Sequence, residues 1–193
     1  MKAVSGGVCA AKGFTANGIH CGIRKNHAKK DLSLIFSAVP ASAAAVYTTN
    51  LVKGAPLAVT KRHLSNGTAQ AILCNSGNAN TCNANGIEIA EEMSTLAAAQ
   101  LGISPDDVVV ASTGVIGLPL SIDPIAAGLP TLVKGLSETG GEAAAEGIMT
   151  TDTVKKEVAV EFTLGGKTCR IGGIAKGSGM IHPNMATMLV FIT

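Results

Sequence analysis

The segment "KGSGMIHPNMATMLVFIT" (176–193) places Thr187 directly after Ala186. A threonine at such a step has two uses. As a β-branched residue entering an apolar run, it packs in a strand. Alternatively its hydroxyl attacks the Ala186 carbonyl and releases a new N-terminal threonine. The freed α-amine, with a pKa of about 7.7–8.0, then acts as that residue's own general base. The residues alone leave both uses open.

Other stretches carry weaker chemical signals. In "ASTGVIG" (111–117), Thr113 and Gly114 offer a hydroxyl and an unshielded backbone N–H to a developing oxyanion. "MTTDT" (149–153) supplies hydroxyls and the Asp152 carboxylate, for which a capping or turn role is the simpler reading. "CNSGNANTCNANG" (74–86) is dense in asparagine and reads as a structured loop, or else as amides facing a polar ligand near a helix start. The 4 histidines, at 20, 27, 63 and 182, show no metal-binding spacing, so no metal is expected. No Ser–His–Asp set or phosphate-cradling loop can be assembled.

These groups need elements to hold them. "LSLIFSAV" (32–39), "AAVYTT" (44–49), "PLAVTKRHL" (56–64) and "AQAILC" (69–74) read as strands. From Gly86, apolar Ala90, Met93, Ala97 and Leu101 recur at helical spacing, with Gly102 as the stop. "DVVVAS" (107–112) returns to strand, and 122–137 and 138–149 read as short helices broken by Gly128, Pro130 and Gly140–Gly141. "KEVAVEFTL" and "KTCRIGGIA" flank Gly165–Gly166, which predicts a hairpin. Strands and helices mixed in this way predict an α+β layered architecture. The glycine-rich first thirty residues end in "RKNHAKKD" (24–31), read as a solvated loop rather than a phosphate contact.

Composition bounds the rest. The 193 residues are 47% hydrophobic but only 3% aromatic and 15% charged, which predicts tight packing of small side chains and surface hidden against a partner. A net charge of +2 is too small to argue for nucleic acid or an anionic membrane. Five cysteines without a CxxC pair, and no signal-like apolar run, predict reduced thiols in a cytoplasmic protein with no membrane span.

Five segments combine into one pattern: "GGVCAAKGFTANGIHCGIRK", "KKDLSLIFSAVPASAAAVYTTN", "STGVIG", "IMTTDT" and "KGSGMIHPNMATML". In this order they resemble the ornithine acetyltransferase family, the glutamate N-acetyltransferases of arginine biosynthesis, over essentially the whole chain. The resemblance implies self-cleavage between Ala186 and Thr187. Residues 1–186 are then the α-subunit region, and 187–193 the start of a β subunit. It implies Thr187 as nucleophile, Thr113 and Gly114 as oxyanion stabilisers, and Thr150 and Lys176 with Thr187 as contacts to the amino-acid substrate. Thr151, next to Thr150, leaves a one-residue ambiguity. Acetyl would pass from N-acetylornithine to Thr187 and on to glutamate, without a cofactor, although some members accept acetyl-CoA. The implied fold is an αββα-type sandwich with mixed sheets, completed by the β subunit in an α2β2 heterotetramer. Two rival readings are a self-processing N-terminal-threonine amidohydrolase or aminopeptidase, and a non-catalytic α-like fragment.

Overall fold

The computed structural model describes residues 1–178 and 188–193. In chain order they form β1 (Lys2–Val4), β2 (Phe14–Ile19), β3 (Leu32–Ser42), α1 (Pro56–His63), β4 (Thr68–Asn78) and α2 (Gly86–Leu101). These are followed by β5 (Val108–Val115), α3 (Asp123–Lys134), α4 (Gly141–Ile148), β6 (Lys156–Leu164), β7 (Lys167–Lys176) and β8 (Leu189–Ile192). The strands make two four-stranded sheets, ordered β2-β3-β4-β5 and β1-β6-β7-β8. In the first, only β4 and β5 run parallel, joined by the α2 crossover that a parallel pair requires. The second is antiparallel throughout.

The first sheet is buried on both faces, which explains why β3 reads as a near-continuous apolar run. Leu32, Leu34, Leu73 and Val110 face α1, α2 and α3. Ile35, Cys74 and Ala111 face the opposite way, toward Ala144, Ala145 and Ile148 of α4 and toward Ile174 and Phe191 of the second sheet. Helix α4 therefore lies between the sheets. It fits because no side chain stands in its way: a Cβ on Gly18 of β2 would lie 2.0 Å from the Ala143 carbonyl oxygen, and one on Gly140 would lie 1.7 Å from that of Ala16.

The α+β class with two layered sheets, the first of them mixed, agrees with the expectation. The 86–102 helix forms as the periodicity indicates, stopped by left-handed Gly102. Gly165 and Gly166, with φ of 57° and 74°, make the hairpin turn between β6 and β7.

Three expectations fail. The segment 56–64 is not a strand: Pro56–His63 form helix α1. Pro56 starts the helix, and buried Pro56, Val59, Thr60 and His63 follow helical spacing. The helix covers the edge of β5: the Thr60 hydroxyl donates to the Val110 carbonyl at 2.7 Å and accepts the Val110 N–H at 3.1 Å. Residues 44–49 form no strand, because no neighbouring strand pairs with them and Val46 stays 83% exposed. Helix α3 continues through Gly128 and Pro130 rather than breaking there. Strands β1 and β2 lie inside the glycine-rich start, where the sequence showed no alternation.

The outer face of the second sheet carries Val158, Ile171, Val190 and Ile192, all exposed, on the side opposite Ile174 and Phe191. No helix among the described residues is long and apolar enough to cross a membrane, and all five cysteines are unpaired.

Leu73 is fully buried between α2 and the first sheet. Leu73→Ala is expected to cost about 3 kcal/mol, read as a lower urea midpoint at unchanged slope.

Candidate active site

The parallel strands β4 and β5 end side by side, with Ser76 opposite Thr113 and Gly77 opposite Gly114. Such strand ends are where α/β sheets commonly place ligands. Gly114 has φ +137°, and a Cβ there would sit 2.3 Å from the Gly77 carbonyl carbon. The two main chains touch. Thr113 is 3% exposed, on the same strand face as Ala111, and so points toward α4.

The asparagine-rich loop behind β4 spends its amides on itself. Asn75 donates to the Asn78 carbonyl at 2.9 Å and accepts the Ser112 hydroxyl at 2.6 Å. Asn78 donates to the Leu118 carbonyl, and Asn80 to that of Gly86. Positive φ at Asn80 and Cys82 completes a rigid turn. The structured-loop reading holds, and Asn75, Asn78 and Asn80 are not turned toward a ligand.

Helix α4 brings the second group of residues to this place. The Ser76 hydroxyl donates to the Gly147 carbonyl at 2.6 Å, which pins the helix end to β4. The chain then passes through Met149 to Thr150. Asp152 folds back to accept the Thr150 N–H at 3.2 Å, and its other oxygen accepts the Gly177 N–H at 2.8 Å and Lys156 Nζ at 2.6 Å. One carboxylate thus clasps Thr150 to the segment just after Lys176. Burial alone would raise the Asp152 pKa, but the bonds from Lys156, Gly177 and Thr150 outweigh it and hold it below the usual carboxylate range. Lys176, at the inner end of β7, is 4% exposed and donates to the Gly177 carbonyl at 2.6 Å. Burial pulls its pKa down, and Asp152 opposes that shift. Cys74 nearby has its thiol pushed up to about 12 by burial and is inert as a nucleophile at neutral pH.

The third wall was not legible in the sequence as a site. Asp31 is fully buried and accepts the main-chain N–H groups of Cys21 at 2.6 Å and Arg24 at 2.9 Å. The basic run is therefore a folded loop, with Asp31 as its hub. Its Arg24 side chain lies against Gly77 and donates from Nη2 to the Met149 carbonyl. A cleft of about 230 Å³ opens here, lined by Arg24, Lys29, Lys30, Glu146, Thr150 and Asp152. The density of cations at 24–30 was the one available signal.

Thr113, Gly114, Thr150 and Lys176 are thus linked in one chain of contacts running through Gly77, Arg24, Met149 and Asp152. Thr150 lines the cleft, and Thr151 is exposed. Ala186 and Thr187 lie outside the described residues.

Fold and site define a two-sheet α+β protein whose polar cleft is assembled from the end of a helix, the segment that follows it and the basic loop. Residues 15–193 match the ArgJ family, and the chain belongs to it. It is 53% identical to the arginine biosynthesis bifunctional protein ArgJ of Symbiobacterium thermophilum, over 100% of this chain and 48% of that protein. It is 55% identical to the ArgJ protein of Gloeobacter violaceus, over 98% of this chain and 47% of that one. The chain spans about half the length of these relatives. The crystal structure of Bacillus halodurans ArgJ matches with a TM-score of 0.87 at 44% identity, covering 96% of this chain and 97% of that one. The ornithine acetyltransferase of Mycobacterium tuberculosis, complexed with ornithine, matches at 0.87 and 36% identity, covering 96% and 99%.

Gly114→Ala should cost about 2–4 kcal/mol through clash and backbone strain together. Gly67→Ala, also at positive φ but with nothing within 4 Å, should cost only about 1 kcal/mol; urea unfolding of the two variants compares them. Because the folded Asp152 pKa is depressed, its contribution to stability is present above the unfolded value of about 3.9 and is lost as pH falls through the folded one. Asp152→Asn should therefore destabilise at neutral pH, and its difference from wild type should shrink as pH falls below the unfolded carboxylate value, read from urea midpoints against pH.

Proposed function

We propose that this chain is the N-terminal half of a cytoplasmic acetyltransferase of arginine biosynthesis, cut between Ala186 and Thr187. The observation that carries the reading is that Thr113–Gly114, Thr150 and Lys176 are joined by one chain of contacts, through Gly77, Arg24, Met149 and Asp152, in a member of the ArgJ family. The register of β7 and β8 supports it: Leu189, two positions after Thr187, pairs with Lys176. Chain lengths support the cut. Relatives named ArgJ are about twice as long as this chain, whereas the matching chains in the two crystal structures are almost fully covered by it.

In this reading Thr187 Oγ attacks the acetyl carbonyl of N-acetylornithine, and its proton passes to the Thr187 α-amine. Thr113 and the Gly114 N–H stabilise the tetrahedral oxyanion. The C–N bond breaks, the leaving ornithine amine takes the proton, and an acetyl-threonine ester remains. The glutamate amine then attacks this ester and restores Thr187. Lys176 pairs with a substrate carboxylate, and Thr150, joined to the segment after it through Asp152, lines the cleft. Acetyl-CoA is a further donor by the same ester. A β subunit beginning at Thr187 completes the site and the sandwich. The exposed apolar face of Val158, Ile171, Val190 and Ile192 and the edge position of β8 supply a surface for it, and two such pairs form the heterotetramer.

Mass spectrometry and a transfer assay on the full-length protein test this. Wild type should yield two chains and move acetyl from N-acetylornithine to glutamate rather than to water. Thr187→Ala should stay whole and lose transfer by at least about 1,000-fold. An uncut wild-type chain with full activity, or an active Thr187→Ala variant, overturns the reading.

A further inference from the structure

A buried ammonium has lost its hydration, and unless the fold compensates, it gives up its proton. Lys176 is such a group, 4% exposed at the inner end of β7. Asp152, after α4, and Lys156, at the start of β6, act on it from neighbouring segments. The Asp152 carboxylate strengthens the hold of Lys176 on its proton, and the Lys156 ammonium weakens it. Cys74 of β4 lies near as well, but with its thiol pushed up to about 12 it carries no charge at neutral pH.

The three charged side chains meet at Gly177. Asp152 Oδ1 accepts the Gly177 N–H at 2.8 Å and Lys156 Nζ at 2.6 Å, while Lys176 Nζ donates to the Gly177 carbonyl at 2.6 Å. A Cβ on Gly177 would lie 3.3 Å from both Asp152 Oδ1 and Lys156 Cε, so the two side chains close tightly over this residue. Their exposures differ: the Asp152 side chain is 4% exposed and that of Lys156 46%. The carboxylate is therefore interior, like Lys176, and Lys156 reaches it from solvent. Two ammonium groups against one carboxylate leave this trio one positive charge, the complement of a single substrate carboxylate.

We infer that Asp152 is the positioning residue of Lys176: it grips Gly177, fixing the turn that carries the ammonium, and supplies a counter-charge that Lys156 tempers from the surface. The inference rests on the acetyl-transfer reading above, in which Lys176 binds a substrate carboxylate. Asp152 acts through Lys176 and not on the reacting carbonyl.

The test follows kcat/KM for N-acetylornithine against pH in the full-length protein, because a neutral Lys176 cannot pair with the substrate carboxylate. Removing the Asp152 charge lowers the Lys176 pKa, so the alkaline fall in rate should come at lower pH in Asp152→Asn. The ratio of kcat/KM at about pH 10 to that at about pH 8 should drop at least about 3-fold. Lys156→Gln should act in the opposite direction, raising that ratio by up to about 2-fold, and by less in high salt because Lys156 is partly exposed. Asp152→Glu keeps the charge and should hold the ratio within about 2-fold of wild type, whatever its overall rate. A purely structural Asp152 would lower kcat/KM by one factor at every pH. That result, or shifts of the same sign in Asp152→Asn and Lys156→Gln, overturns the inference. If Asp152→Asn does not fold, the sign of the Lys156→Gln shift decides it. If wild type moves no acetyl, the functional reading fails instead, and Lys176 is followed directly through the side-chain carbon NMR signal that Lys176→Arg removes. That signal should titrate at lower pH in Asp152→Asn and at higher pH in Lys156→Gln than in wild type; an unchanged titration overturns the positioning role.

Discussion

The constraint on which the rest depends is the close seating of α4 between the two sheets. Main chain meets main chain where Gly18 faces Ala143 and Gly140 faces Ala16, at distances no side chain would permit. A chain that is 3% aromatic with 23 glycines is suited to this kind of packing. Because the helix is seated there, its end reaches β4 at Ser76, the register partner of Thr113. The placing of Ser76 and the end of α4 is thus a consequence of core packing.

Buried charge holds the remaining pieces. Asp31 and Asp152 each use their oxygens mainly on main-chain N–H groups, which organises a loop more firmly than an exposed ion pair would. Asp31 shapes the basic loop, and Asp152 joins the Thr150 segment to the end of β7. Lys176 is buried at the same junction, with its charge opposed by desolvation and supported by Asp152. Removing any one of these groups would leave an unpaired polar partner in the interior, the costly half of a hydrogen bond.

Legibility followed the range of the interactions. Helix α2 and the Gly165–Gly166 hairpin were readable because periodicity and turn residues act over a few positions. Helix α1 was misread because Val59 and Thr60 have strand preferences, while the deciding contacts are with β5, as in the Thr60–Val110 pair 50 residues apart. Strand β2 was missed because its glycine and alanine positions record the approach of α4, not an alternation. The chemical motifs were legible as residues, but the loop at 20–31 was not legible as a wall of the site.

The ending "KGSGMIHPNMATMLVFIT" carries its message in residue types alone: together with the four other segments it gives the family resemblance without any coordinates. So do the turn glycines and the strand-ending Thr113–Gly114, because local backbone preference and reactivity belong to a residue and its neighbours. What only the tertiary structure decided is which of them meet. Arg24 reaches Met149 across 125 positions and Ser76 reaches Gly147 across 71. Contacts of that span are set by how helix α4 packs against the two sheets, and no short stretch of sequence encodes that packing by itself.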